Sequence, residues 1–333
     1  MTKSLSNQSI SKQKGGLHVL KYILKRLFYA LITLFVLCAI TFFMMRLLPG
    51  DPFIGEKAIP ETTLKALNAK YGLDKPVLHQ FFMYVGNVLK GDLGISMHYN
   101  NRPITDIITQ AFPYSFDLGI RSLIFATVMG VFLGIVAAVK RGTAWDTATM
   151  LIAIIGVSVP SFIVGSILQY FLGLRLFQIT GLRIFPITGW STFASKILPA
   201  FALSFGSMAT ISRLMRTSML DVLGQDYIKT AKSKGLSQKK IIWKHAVRNA
   251  IMPVITVLGP IAAAVLTGAF VVENIFSIPG MGKFFVNSIR VRDYTMISGI
   301  TLFYGAFLII ANLIVDLAYG FIDPRVKLTD VKE

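Results

Sequence analysis

Cysteine, histidine and acidic side chains are scarce in this sequence. Cys38 is the lone cysteine among 333 residues, so neither an intrachain disulfide framework nor a cysteine-built metal cage is available. His18, His79, His98 and His245 fall in separate segments and form neither a ligand cluster nor a shared acid–base centre. No Gly-x-x-x-x-Gly-Lys-Ser/Thr phosphate loop occurs, so this chain carries no ATP site of that type. Charged residues are only 15%, yet 34 Lys+Arg face 16 Asp+Glu, a formal net charge of +18. What is abundant instead is apolar: 54% of residues and a mean hydropathy of +0.63, above the roughly 45–50% of water-soluble domains. Much of that surface must face lipid.

A span needs about 20 mostly apolar residues. Six stretches qualify: Leu27–Met45, Asp117–Val139, Thr147–Leu172, Ile197–Ile211, Pro253–Val272 and Met296–Ala318. They are too long and continuous for alternating barrel strands, so an all-α membrane protein with six transmembrane helices is expected. The first stretch is too long for a secretory signal, and the Arg46-Leu47-Leu48-Pro49-Gly50-Asp51 that follows is no cleavage site, so the helix is read as retained.

The basic excess reports orientation before nucleic-acid binding, for which nothing else speaks. With the N-terminus inside, cytoplasmic segments hold twenty Lys and Arg, whereas the two short external loops hold three each. The long external loop holds seven basic residues and six acids, and loops of that length largely escape the rule. Both termini are therefore placed in the cytoplasm. This divides the chain into a cytoplasmic tail (1–26), a first transmembrane helix (27–45), an external cap domain (46–116), a five-helix core (117–318) containing a cytoplasmic loop (213–252), and a cytoplasmic tail (319–333). The cap shows helix punctuation: Pro60 opens a run closed by Tyr71-Gly72, and Asp74 is read as N-cap of a second run from Pro76 to Leu89.

The cytoplasmic loop reads as helix, turn, helix, broken at Gly235 and restarted at Ser237. Asp226-Tyr227-Ile228-Lys229-Thr230-Ala231-Lys232-Ser233-Lys234-Gly235-Leu236 is amphipathic and strongly basic. Such a segment either rests on anionic headgroups or docks in a groove of a soluble partner.

The loop resembles the EAA loop of binding-protein-dependent ABC importers, in the longer form of the B-type permease of oligopeptide and dipeptide systems. The residues of the resemblance are Tyr227-Ile228, Ala231, Gly235, His245-Ala246-Val247-Arg248-Asn249-Ala250 and Pro253. Lys229 and Thr230 depart from the Glu and Ala commonest in the general EAA pattern. Leu48-Pro49-Gly50-Asp51-Pro52, Tyr71-Gly72-Leu73-Asp74-Lys75-Pro76, Lys90-Gly91-Asp92-Leu93-Gly94-Ile95-Ser96, Val272 to Gly282, Arg292-Asp293-Tyr294 and Asp323-Pro324-Arg325 resemble the same family in order along the chain. The resemblance implies a type I importer permease fold in a bacterial plasma membrane. It implies as partners a C-type permease subunit, two ABC ATPase subunits and an extracellular or periplasmic substrate-binding protein. Asp226, Tyr227, Ile228, Ala231, Lys234, Gly235 and Leu236 become the ATPase-coupling segment, with Tyr227, Ile228 and Leu236 as apolar anchors. No cofactor is expected on this chain, ATP and Mg being used by the partner ATPases. Di- or oligopeptides are the expected cargo, and related permeases for nickel, glutathione or oligosaccharides are the alternative.

Ionisable residues in or beside spans are functional candidates, each costing about 2.5–3.5 kcal/mol at mid-bilayer on insertion scales. Asp117 and Arg121 stand four apart on one helical face, as a membrane-edge ion pair or a pore element. Glu273 and Asn274 precede Pro279-Gly280, as an external gate or as turn caps. Gln169 either faces the pore or packs between helices, and Ser158-Val159-Pro160-Ser161 is read as a proline kink rather than a nucleophile motif. A stand-alone proton-coupled transporter would show internal repeats and buried mid-span acids, and a membrane hydrolase a nucleophile with its base. The sequence shows neither set.

Overall fold

The computed structural model describes residues 2–47, 53, 60–99, 102–267 and 269–322, with side chains described for 24–47, 53, 60–99, 102–266 and 269–315. The motifs at Leu48–Pro52 and Asp323–Arg325 lie outside the described residues. Among the described residues there is no strand beyond one isolated bridge, Ile95 to Pro103. The helices are α1 (Thr2–Leu47), α2 (Glu61–Tyr71), α3 (Val77–Leu89), α4 (Ile104–Val139), α5 (Ala144–Ser158), α6 (Ser161–Leu168), α7 (Leu176–Thr180), α8 (Phe193–Leu223), α9 (Asp226–Ser233), α10 (Gln238–Lys240), α11 (Val247–Ala250), α12 (Met252–Thr267), α13 (Phe270–Ile275), α14 (Met281–Val291) and α15 (Tyr294–Ile322). Wider π-helical turns, Gln169–Arg175 and Ile241–Ala246, join α6 to α7 and α10 to α11.

Among the described residues, five helices are long and apolar enough to cross a membrane, and six if the bent pair Gln238–Ala250 and Met252–Leu266 is one span. The six-helix expectation holds at that level, while the bounds differ. Helix α4 begins at Ile104 rather than near Asp117, and α8 runs from Phe193 to Leu223 rather than Ile197 to Ile211. Thr192 starts α8 with a capping box: its hydroxyl accepts from the Ser195 amide at 3.2 Å and the Ser195 hydroxyl accepts from the Thr192 amide at 3.2 Å. The expected kink is present, since α5 ends at Ser158, Val159 is extended and Pro160 opens α6. Proline lacks an amide to donate and forces its predecessor out of helical geometry. Likewise Val77 follows Pro76, so the N-cap expected at Asp74 is instead Pro76, with no side-chain cap bond.

The chain forms two compact units, Met1–Ile104 with Val291–Glu333, and Thr105–Arg290. In the first, α1 packs on α15 and on α3, around Cys38, Phe42, Phe81 and Leu302. Arg46 ends α1 by forking to Gln80 Oε1 at 2.6 and 2.8 Å over the Phe42 ring, while Gln80 Nε2 donates to Lys75 O at 2.7 Å. In the second unit α8 is the central element, packed by α5, α6 and α12. Small residues make this close: a Cβ on Gly134 would fall 2.6 Å from both Met215 Cβ and Ser212 O, and one on Gly156 2.7 Å from Ala209 Cβ.

Candidate functional site

Helix α9 follows α8 after Gly224 and Gln225. Its end is a Schellman cap: Gly235 takes φ 72°, its amide donates to Lys232 O at 2.9 Å, and the Leu236 amide reaches back to Ala231 O at 3.3 Å. Glycine is used there because the left-handed conformation is costly for a residue with a Cβ. Of the seven residues expected to couple, Ile228 and Ala231 turn inward, at 0% and 7% exposure, into a core with Met215, Met219, Ile241, Ala246 and Val254. Leu236 is half-buried against that core. The expectation that Ile228 is an anchor for a partner is therefore corrected: it anchors α9 to its own chain. Asp226, Tyr227, Lys234 and Gly235 remain exposed. The Tyr227 hydroxyl accepts from Asn249 Nδ2 at 3.1 Å, tying α9 to the end of α11, and Lys229 meets Asp226 at 2.9 Å in a solvated pair worth little. Trp243, at 59% exposure, adds an apolar surface in the loop that the sequence reading did not assign.

Asp117 and Arg121 do pair, at 2.7 Å. The structure adds Lys196 from α8, whose Nζ meets the other Asp117 oxygen at 3.0 Å and lies 5.1 Å from the Trp190 ring. Lys196 is far in sequence and carried no local signal. Both cations border a cleft of about 540 Å³ that is otherwise apolar, lined by Ile124, Phe125, Val128 and Phe193 among others.

The turn between α13 and α14 is built around Glu273, which is fully buried. Its Oε2 accepts the Gly282 amide at 2.7 Å, and the Ser115 hydroxyl accepts the Met281 amide at 2.9 Å. These are two first-turn amides of α14, which have no partner within the helix. A Cβ on Gly282 would lie 2.6 Å from the Phe270 backbone and 2.9 Å from the Glu273 carboxylate, so the glycine permits the approach. Asn274 and Pro279 stay on the surface while Gly280 is buried. Ser277 takes φ 52° and its amide donates to Asn274 O at 3.2 Å. The geometry therefore gives Glu273 a capping job, with Ser115 as a partner the sequence did not reveal. Gln169 likewise packs, donating to Ile187 O at 2.9 Å and Ile275 O at 3.0 Å.

In the other unit, Asp293 is buried and caps α15 through Oδ1, which accepts from the Met296 amide at 3.0 Å. Its Oδ2 accepts from Ser96 Oγ at 2.5 Å, Met97 N at 3.1 Å and His98 N at 3.3 Å. The Gly91–Tyr99 stretch, read as part of the cap, is thereby fastened to the start of the last helix.

Residues 130–328 match the family described as binding-protein-dependent transport system inner membrane component, and residues 19–119 match its N-terminal family. The dipeptide transport system permease protein DppB of Bacillus subtilis is 45% identical over 310 residues, covering 92% of this chain and 98% of that one. The oligopeptide transport system permease protein OppB of Haemophilus influenzae is 42% identical over 309 residues, covering 93% and 100%. Among solved structures, an amino acid ABC transporter with histidines aligns at a TM-score of 0.48 and 14% identity, over 67% of this chain and 95% of that one.

Proposed function

We propose, from the premise that this chain belongs to the inner membrane component family of binding-protein-dependent transport systems, that it is a permease subunit of an ATP-driven importer of di- or oligopeptides. The observation that supports the cargo is its 40–45% identity, over nearly the whole chain, to proteins named dipeptide and oligopeptide permeases. Transport against a gradient needs an energy source, and ATP would be hydrolysed by two partner ATPase subunits. A second, C-type permease would complete the pore, and a substrate-binding protein would deliver cargo to the external segments, the cap at 46–116 contributing to its docking. The turn of Glu273, Asn274, Pro279 and Gly280 and the Asp117–Arg121 pair remain candidates for the external gate or pore wall.

Coupling is assigned to α9 and the residues around it. Ile228 and Ala231 seat the helix in its own chain, and Tyr227 with the exposed basic face meets the ATPase. Tyrosine is a residue type that often dominates docking energy. Tyr227→Ala is expected to leave the spans inserted, to lower ATPase retention on the purified permease pair about tenfold, and to lower uptake of a labelled dipeptide in proteoliposomes in proportion. Wild-type retention and uptake would place docking elsewhere, and a wild-type complex that takes up neither di- nor oligopeptides would overturn the cargo.

Both termini are assigned to the cytoplasm from the twenty basic residues on that side. A cysteine at the exposed Lys65 should react with an impermeant thiol reagent in intact cells or protoplasts, one at Lys239 only after permeabilisation, and the buried Cys38 with neither treatment. The reverse pattern inverts the topology.

A further inference from the structure

Asp146 opens α5 and is 6% exposed. Arg216, on α8, grips it with both arms of its fork: Nε to Oδ1 at 2.6 Å and a terminal nitrogen to Oδ2 at 2.8 Å. The Gly142 amide donates to the same carboxylate at 3.0 Å. Two-point pairing of a guanidinium with a carboxylate fixes orientation as well as distance, which a single contact does not. Both carboxylate oxygens thus have a charged partner, and one of them has a backbone donor as well.

Its position is what gives it meaning. Arg216 lies between Met215 and Met219, and those two methionines share the buried core that receives Ile228 and Ala231 of α9. Force arriving at α9 therefore reaches α8 through the turn that carries Arg216. At that same turn Gly134 of α4 rests against Met215 Cβ, Ser212 O and the Arg216 backbone, and further along α8 Gly156 of α5 rests against Ala209. Packing of this kind resists compression, but it does not stop two helices from parting or sliding at their ends. The fork to Asp146 supplies that restraint where α5 begins.

We infer that the Asp146–Arg216 clamp is a positioning device that makes the ends of α5 and α8 move as one body, so that displacement of α9 reaches the proline-broken span α5–α6. This rests on the reading of α9 as the coupling helix. Packed side chains and charge pairs are among the physical networks that carry coupling between sites.

The test uses the assembled importer in proteoliposomes, measuring subunit content, thermal unfolding, ATP hydrolysis and dipeptide uptake together. D146N is expected to keep subunit content and basal hydrolysis within about twofold of wild type while uptake per ATP hydrolysed falls about fivefold or more. The charge-swapped D146R/R216D should recover at least half of the lost ratio. An unchanged ratio in D146N, with or without a lower unfolding temperature, would make the pair merely structural and overturn the inference. So would equal losses in D146N and the swap. Should D146N fail to assemble, R216K keeps the charge but not the fork, and a wild-type ratio there overturns it equally. Tyr227→Ala run alongside separates the two readings: normal ATPase retention there removes α9 as the docking helix and the premise of the inference with it, whereas lowered retention together with an unchanged D146N ratio overturns the clamp alone.

Discussion

Ala231→Asp is expected to unseat α9 and to lower the yield of folded, assembled permease about tenfold. Ala231 is 7% exposed and shares a core with Ile228, Met219, Ile241 and Ala246. The side chains that share this core with it are apolar, so the new carboxylate would lose water without gaining a hydrogen-bond partner from them. Introducing an unpaired charge into such a place costs on the order of 3 kcal/mol or more, even after partial neutralisation or local opening. That is a large part of the stability of a typical domain. The measurement is the unfolding temperature and the monodisperse fraction in detergent, followed by uptake. Ala231→Ser, which adds one polar atom able to bond back to the helix backbone, should lose less than about 1 kcal/mol. If the aspartate variant unfolds like wild type and loses only ATPase binding, Ala231 faces the partner, and the inward seating of α9 is wrong.

Asp293→Ala is expected to release the Ser96–Tyr99 stretch from the start of α15 and to cost about 3 kcal/mol. The carboxylate accepts from three backbone amides, those of Met97, His98 and Met296, and from the Ser96 hydroxyl, while the Thr295 hydroxyl lies 3.0 Å from it and donates more closely to Ile95 O at 2.7 Å. Loss of a helix N-cap alone costs about 1 kcal/mol, and each buried donor left without an acceptor adds about 1–3 kcal/mol where water cannot replace it. Asp293→Asn retains one carbonyl acceptor and should fall between alanine and wild type. Hydrogen exchange of the Met97 and His98 amides would report the release directly, with faster exchange in the alanine variant. Unchanged exchange and unfolding temperature would show that the fastening is carried by other contacts.

The spans were legible because hydropathy is a local property, and the breaks at Pro160 and Gly235 because those residues restrict or extend backbone freedom wherever they stand. The missed start of α4 is instructive. Ile104, Ile107, Ile108 and Ala111 are all buried, and their spacing of i, i+3, i+4, i+7 is an amphipathic helix stripe. Asp106 and Gln110 on the intervening face lower the average hydropathy, so a search for continuous apolar character begins the helix too late. The N-cap placed at Asp74 failed for a related reason. Aspartate is a good cap in general, but Pro76 sets the chain direction two residues later and leaves Asp74 in the preceding turn.

Composition and hydropathy pattern by themselves determined that this chain is helical and membrane-spanning, since both follow from local properties, while the importer permease family was legible through the resemblance of its short motifs. Only the tertiary structure decided which face of α9 turns inward. Periodicity marks an apolar stripe but is silent on whether the stripe is buried in its own chain or in another. The same holds for Lys196 with Asp117, Ser115 beside Glu273, Arg216 with Asp146, and Asp293 with a serine 197 positions away. Each is a charge or hydrogen bond satisfied by a partner from another helix, and such a partner is defined by packing in space and not by any neighbour along the chain.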